Sequence, residues 1–225
     1  MLEFRDVSFG YAGHTVLQGV TLELEAGGFY FLTGPSGAGK TTFLRLCTLE
    51  ARPQEGQMQV FGEDPTALSR DQIAALRRRM GTVHQDCQFL DHLSVRRNLS
   101  FPLEIAGRHR PENAKDIEEV LSWIDLADRA DARPPELSGG ERQRAALARA
   151  VILSPEILIA DEPTGNIDRD MGYRIIRLLA ELNRLGRTVL VATHDLDLIR
   201  AAKAEGPARV LRLSGGTVHR AEVEL

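Results

Sequence analysis

One segment constrains this chain more than any other: Gly34-Pro35-Ser36-Gly37-Ala38-Gly39-Lys40-Thr41. It matches G-x-x-x-x-G-K-[ST] and stands between a short apolar run, Phe29–Thr33, and helical periodicity running from Lys40 to about Leu49. A strand, a glycine loop and a helix in that order turn backbone N–H groups inward round a phosphate, and the helix N-terminus adds partial positive charge. Lys40 can bridge β- and γ-phosphates, Thr41 can ligate Mg²⁺, and Thr42 can hydrogen-bond an α-phosphate. A chain of this composition matches the pattern by chance only about 0.002 times.

The rest of the chain supplies what such a loop needs around it. Leu2–Phe9 and Val16–Leu24 alternate apolar and polar residues about a turn at Gly10–His14, and Gln57–Phe61 and Gly81–His84 read as further strands. A helical stretch near Asp71–Arg79 lies between the last two. From Gln88 to Ala150 strand alternation stops, and Ser94–Leu103, Pro111–Ile124 and Gly140–Leu153 read as helices. The last third alternates again: strand Ile157–Ala160, helix Arg169–Leu185, strand Thr188–Thr193, helix Leu196–Ala202 and a hairpin at Ser214-Gly215-Gly216. The fold class that follows is α/β, a phosphate-loop NTPase core. Its sheet is mostly parallel with N-terminal antiparallel strands, and an α-helical subdomain is inserted in it. The expected boundaries are 1–87 and 151–225 for the core and 88–150 for the insertion, all within one domain.

Two further motifs bear on chemistry. Ile157–Ala160 runs into Asp161-Glu162, where Asp161 can hold Mg²⁺ through water and Glu162 can polarise an attacking water. An acidic strand terminus is common, and it is the phosphate loop that favours the catalytic reading. Leu137-Ser138-Gly139-Gly140-Glu141 opens a well-patterned helix and offers a second anion-binding N-terminus, although standing alone it would read as an ordinary serine cap.

The order phosphate loop, Gln85, Leu137–Glu141, Asp161-Glu162, Asp168, His194 resembles the ATP-binding-cassette ATPase family across essentially the whole chain. That resemblance implies an ATPase with ATP and Mg²⁺ as ligands. Two cassettes pair head to tail in the family, so ATP on one Lys40 loop would meet Ser138, Gly139 and Gly140 of the second copy. Gln85 resembles the residue that senses Mg²⁺ and the attacking water, and His194 the residue that contacts the γ-phosphate; taken alone, both read as polar loop residues. Asn166-Ile167-Asp168 looks like the segment that crosses the dimer interface. Tyr11, after Phe9-Gly10, resembles the aromatic that stacks on adenine; a hairpin aromatic covering the sheet edge is the other reading. The phosphate loop, Glu162–Asp168 and Ala192–Asp195 are most similar to the subgroup of cell-division, lipoprotein-release and macrolide-export cassettes, with the FtsE-type cell-division members nearest. For those members the resemblance implies an FtsX-like integral membrane subunit, signalling to cell-wall hydrolysis during division, and contact with other division proteins. The implied location is cytoplasmic, peripheral on the inner face of the plasma membrane. The alternative is the ATPase subunit of a lipoprotein-release or macrolide-type exporter.

Composition narrows the classes. The charges nearly cancel, 28 basic against 32 acidic, so no nucleic-acid partner is expected. Apolar runs such as Val189–Ala192 are far shorter than the roughly 20 residues of a membrane span, and two cysteines make neither a disulfide framework nor a zinc site. A soluble chain of a reducing compartment is expected. DNA-repair-type cassettes carry long coiled-coil or zinc insertions for which this chain has no room. Gln85–Val95, with Phe89, Leu90 and Leu93, is the candidate surface for a membrane subunit; lobe core is the other reading. The clusters Arg77-Arg78-Arg79 and Arg96-Arg97 read as solvated helix faces or as contacts for anionic lipid.

Only three of the 28 basic residues are lysine, and Lys40 is one. An ammonium is a compact point charge on a flexible stem, whereas a guanidinium is a broad plane. Lys40→Arg is therefore expected to weaken ATP binding or turnover severely, and Lys115→Arg and Lys203→Arg to be nearly silent. Nucleotide titration and phosphate release on the three variants check this; equal activity in all three contradicts it.

Overall fold

A computed structural model describes residues 1–108, 113–165 and 167–221. Its strands are β1 (Leu2–Tyr11), β2 (His14–Leu24), β3 (Phe29–Thr33), β4 (Glu55–Val60), β5 (Met80–Val83), β6 (Ile157–Asp161), β7 (Thr188–Ala192), β8 (Ala208–Ser214) and β9 (Thr217–Ala221). Its helices are α1 (Lys40–Cys47), α2 (Arg70–Arg77), α3 (Val95–Ile105), α4 (Asn113–Trp123), α5 (Gly139–Val151), α6 (Arg169–Arg184) and α7 (Leu196–Glu205). The helix expected from Pro111 is described only from Asn113, since Pro111 and Glu112 lie outside the described residues.

Strands β2-β1-β4 form an antiparallel sheet, and β5-β6-β7-β3-β8-β9 form a second sheet that is parallel except for the closing β8–β9 hairpin. The short apolar runs are buried on both faces, which is why they lack alternation. Along β3, Tyr30 and Leu32 enter one core, with α1 and the antiparallel sheet, while Phe29 and Phe31 enter the other, with α5, α6 and α7. A third core joins α3, α4 and α5 through Leu99, Leu121, Ala145 and Ala148. Helix α5 serves two of the three: Ala146 and Leu147 face the sheet and Ala145 and Ala148 face α3 and α4. Its small side chains let both neighbours approach closely.

Periodicity overran α1 by two residues. The helix stops at Cys47 because Leu49, although buried, turns left-handed at φ 62° and donates its N–H to Leu46. Four of the five clustered arginines make contacts inside the chain. Arg77 donates to Leu49 O at 2.6 Å, and Arg79 pairs with Glu156 at 2.7 Å and lies 3.8 Å from the Phe61 ring centre. Arg96 reaches Glu118 and Asp131, and Arg97 reaches Glu104. Cys47 is fully buried, and burial pushes its thiol pKa far up, so it is packing and not a reactive thiol.

Gly81 is where β5 meets the C-terminal end of α5. A Cβ there would stand 2.3 Å from Ala150 O and 2.9 Å from both Leu158 and Pro155. Because backbone blocks the way, Gly81→Ala should destabilise the fold by about 1–3 kcal/mol, read as a lower urea midpoint at unchanged slope. An unchanged midpoint would mean that α5 and β5 can separate.

Candidate functional site

The carboxyl ends of four parallel strands converge on one crevice, the position at which open α/β sheets bind ligands. β3 leads through Thr33 into the glycine loop, β5 leads to Gln85, β6 ends at Asp161, and β7 leads to His194. The crevice encloses about 820 Å³ and is lined by the loop from Gly34, by Lys40, Thr41 and Thr42, and by Gln85, Asp161, Glu162 and His194.

The loop depends on glycine where no other residue fits. Gly39 caps α1 at φ 104°, and a Cβ on it would lie 2.7 Å from Val16 Cγ1; one on Gly34 would lie 2.5 Å from Leu213 O. No side chain caps α1 and no acid sits in its first turn, so its leading N–H groups and dipole face the crevice uncompensated. Lys40 Nζ folds back over the loop, donating to Gly34 O at 2.9 Å and Pro35 O at 3.3 Å.

Thr41 Oγ1 donates to Asp161 Oδ2 at 2.7 Å. Asp161 is 7% exposed. Burial pushes its carboxyl above the usual aspartate range, with Glu162 adding to the rise, against a smaller lowering from the Thr41 hydroxyl and the Lys40 charge. The next residue turns sharply: Glu162 adopts φ 48°, its N–H donates to Ala192 O at 2.9 Å, and its carboxylate meets His194 Nδ1 at 2.9 Å. Such a left-handed residue costs about 1–3 kcal/mol and points to a site that needs the side chain where it is. No group of three His, Cys, Asp or Glu residues gathers as a metal cage among the described residues. The donors present are hard oxygens, Thr41 Oγ1 and an Asp161 carboxylate already hydrogen-bonded to it. They fit Mg²⁺, which typically takes one or two protein oxygens and completes its shell with water and phosphate.

Other expected residues fall elsewhere. Ser138 caps α5: its Oγ accepts from Glu141 N–H at 3.3 Å, and Glu141 Oε2 accepts from Ser138 N–H at 2.8 Å. The Ser138 N–H, and after it the Ser138 hydroxyl, hold the Glu141 carboxyl below its ordinary range. Ser138, Gly139 and Gly140 are not in the lining of the crevice of their own chain. Tyr11 stands on the β1–β2 hairpin, 42% exposed, with its hydroxyl accepting from Arg45 and its ring edge-on to Phe9 at 5.1 Å; it does not line the crevice either. Asp168 caps α6 by accepting from Met171 N–H, Ile167 packs on the second core, and Asn166 lies outside the described residues. Phe89 is half-buried between the second and third cores, with the Arg149 guanidinium 4.7 Å from its ring centre. Sequence reasoning missed Val16, which lines the crevice from β2. It also missed Gln143, 1% exposed, whose Nε2 donates to Glu162 O at 3.0 Å. The one available signal was a polar residue in the buried phase of α5.

A buried carboxylate with a raised pKa is a penalty at neutral pH. The penalty is present above the folded pKa of Asp161 and disappears as pH falls to the ordinary aspartate value of about 3.9. Asp161→Asn keeps the shape and an acceptor for Thr41, so it should melt at a higher temperature than the parent near pH 7. That gain should shrink as pH drops through the window between the two pKa values. A gain that does not change with pH would place its origin elsewhere.

Residues 17–165 match the family model for the ABC transporter. The chain is 43% identical over 221 residues to the cell division ATP-binding protein FtsE of Escherichia coli, covering 97% of each chain. It is 36% identical over 223 residues to the FtsE of Bacillus subtilis, covering 99% of this chain and 96% of that one. Among solved structures it resembles the ATP-binding cassette MJ0796 in a dimeric post-hydrolysis state bound to ADP and Pi. The TM-score is 0.87 at 31% identity, over 98% of this chain and 97% of that one.

Proposed function

The chain belongs to the ABC transporter family as one of its ATP-binding cassettes, and from that premise we propose that it is the ATP-hydrolysing subunit of an FtsE-type cell-division complex, working as a dimer through an FtsX-like membrane partner. The observation that carries the chemical part is the convergence of Lys40, the Thr41–Asp161 pair and the Glu162–His194 pair on one crevice. The cell-division part rests on the likeness to FtsE proteins over nearly the whole length.

In this reading the glycine loop and the open N-terminus of α1 wrap the phosphates of ATP, and Lys40 leaves its loop carbonyls for the β- and γ-phosphate oxygens. Thr41, Asp161 through water, and Gln85 would hold Mg²⁺, which supplies positive charge against the terminal phosphates. Glu162 takes a proton from the attacking water as its oxygen bonds to the γ-phosphorus and ADP leaves. His194, paired with Glu162, holds that carboxylate and faces the γ-phosphate. Ser138, Gly139 and Gly140 lie outside the crevice of their own chain and belong in this scheme to the second copy's nucleotide. Their capped helix brings aligned N–H groups to the γ-phosphate when the dimer closes. Tyr11 would stack on adenine. Residues 1–87 and 151–225 act as the core and 88–150 as the helical lobe, with Gln85–Val95 and Phe89 receiving the membrane subunit. None of the described helices is long and apolar enough to cross a membrane, and the partner would hold the cassette at the inner face of the plasma membrane.

Glu162→Gln should bind ATP within about twofold of the parent, lose turnover, and accumulate an ATP-dependent dimer on light scattering. Turnover at the parent rate removes Glu162 from its role.

A further inference from the structure

Although its capped N-terminus lies outside the crevice, α5 reaches the segments around it at two points. Gln143 is buried on α5 against the turns that follow β5 and β6; its Nε2 donates to the main-chain oxygen of Glu162 at 3.0 Å, and its Oε1 receives the Cys87 thiol at 3.9 Å. One and a half turns on, Arg149 donates from Nη1 to Gln88 O at 2.7 Å and from Nη2 to Cys87 O at 2.8 Å. All three carbonyls belong to strained residues: φ is 48° at Glu162, 60° at Cys87 and 37° at Gln88. Left-handed conformations at residues bearing side chains persist only where their surroundings hold them, and here one helix supplies a side-chain donor to each of the three carbonyls.

We propose that Gln143 is a positioning residue for hydrolysis: from α5 it fixes the peptide of Glu162 and so aims the carboxylate, while Arg149 fixes the segment that follows Gln85. The proposal rests on the role given above to Glu162. It differs from a packing role in a checkable way. The Glu162 oxygen also accepts from Gly165 N–H at 3.1 Å, and the Glu162 N–H is held separately by Ala192 O. Loss of the Gln143 donor therefore leaves no orphaned backbone group; it leaves the turn with one tether fewer. Ground-state contacts to ATP, which come from the glycine loop and α1, stay intact.

Gln143→Leu keeps the volume of the side chain and removes its donor. In the full chain, kcat for ATP should fall at least about tenfold, since a misplacement of under an ångström at the reacting atoms is costly. KM, the affinity for a fluorescent ATP analogue and the melting temperature should stay near the parent's. Arg149→Lys keeps the charge but loses the fork, and should show the same split of kcat from KM; it carries the test if Gln143→Leu does not fold. A folded Gln143→Leu with kcat within about twofold of the parent overturns the proposal. So does a loss of kcat matched by equal losses of nucleotide affinity and melting temperature. Glu162→Gln run beside them separates the two readings. If it still turns over, the assignment of Glu162 has failed; if it is inactive while Gln143→Leu is normal, only the positioning role has.

Discussion

The hydrogen bond from Thr41 to Asp161 joins the first turn of α1 to the end of β6 across 120 residues of sequence. It forms because β6 lies inside the parallel sheet, two strands from β3, and because all four strands that meet there point the same way. In a sheet covered on both faces, the strand ends are the one place where polar groups can gather without a desolvation penalty on every side. Asp161 still carries part of that penalty, which is why its carboxyl is held above the ordinary range. The rest of the site is arranged round this joint. The glycine loop rises from β3 on one side of it, and Glu162 turns away from it to meet His194 on the other.

Helix α5 relates the third core to that joint. Its alanines allow it to lie against the sheet with one face and against α3 and α4 with the other, and Gly81 lets β5 come within contact of its end. Polar residues at its buried positions then have few partners to choose from, and they take the carbonyls of the strained turns after β5 and β6. Gln143 and Arg149 thereby tie the helical segment to the turns at the strand ends by directed hydrogen bonds.

The core was legible because its signals are local. A glycine loop needs its strand and helix within a few residues, the buried strands are continuous apolar runs, and Asp161-Glu162 follows such a run directly. What stayed hidden depends on approach between distant segments. Val16 lines the crevice only because β2 passes over Gly39, and nothing in a run of alternating residues marks that. Both readings of Tyr11 were open from the sequence, a partner for a base and a hairpin aromatic; its contacts to Arg45 and Phe9 are packing that motif spacing does not show. Asn98 was equally silent: buried on α3, it bonds Leu90 N–H and the carbonyls of Leu90, Leu93 and Ser94, and so shapes the loop expected to face a membrane subunit. The ends of elements were missed for a related reason, since Leu49 leaves the helix to satisfy a core and not a propensity.

The uneven use of lysine and arginine follows from the same geometry. Arg77, Arg142, Arg144, Arg149 and Arg184 each donate to backbone carbonyls in loops or at the ends of other elements. A planar fork with fixed donor directions suits that work, because carbonyls at a loop or helix end offer directed lone pairs. Lys40 faces carbonyls too, Gly34 O and Pro35 O, but they belong to the loop it rises from, and the space it must enter is the inside of a turn of bare backbone. Under the proposed function the requirement there is a small charge that can swing between acceptors, from these carbonyls to phosphate oxygens. Arginine serves the directed contacts between elements, and inside the glycine loop the chain carries the compact ammonium of Lys40.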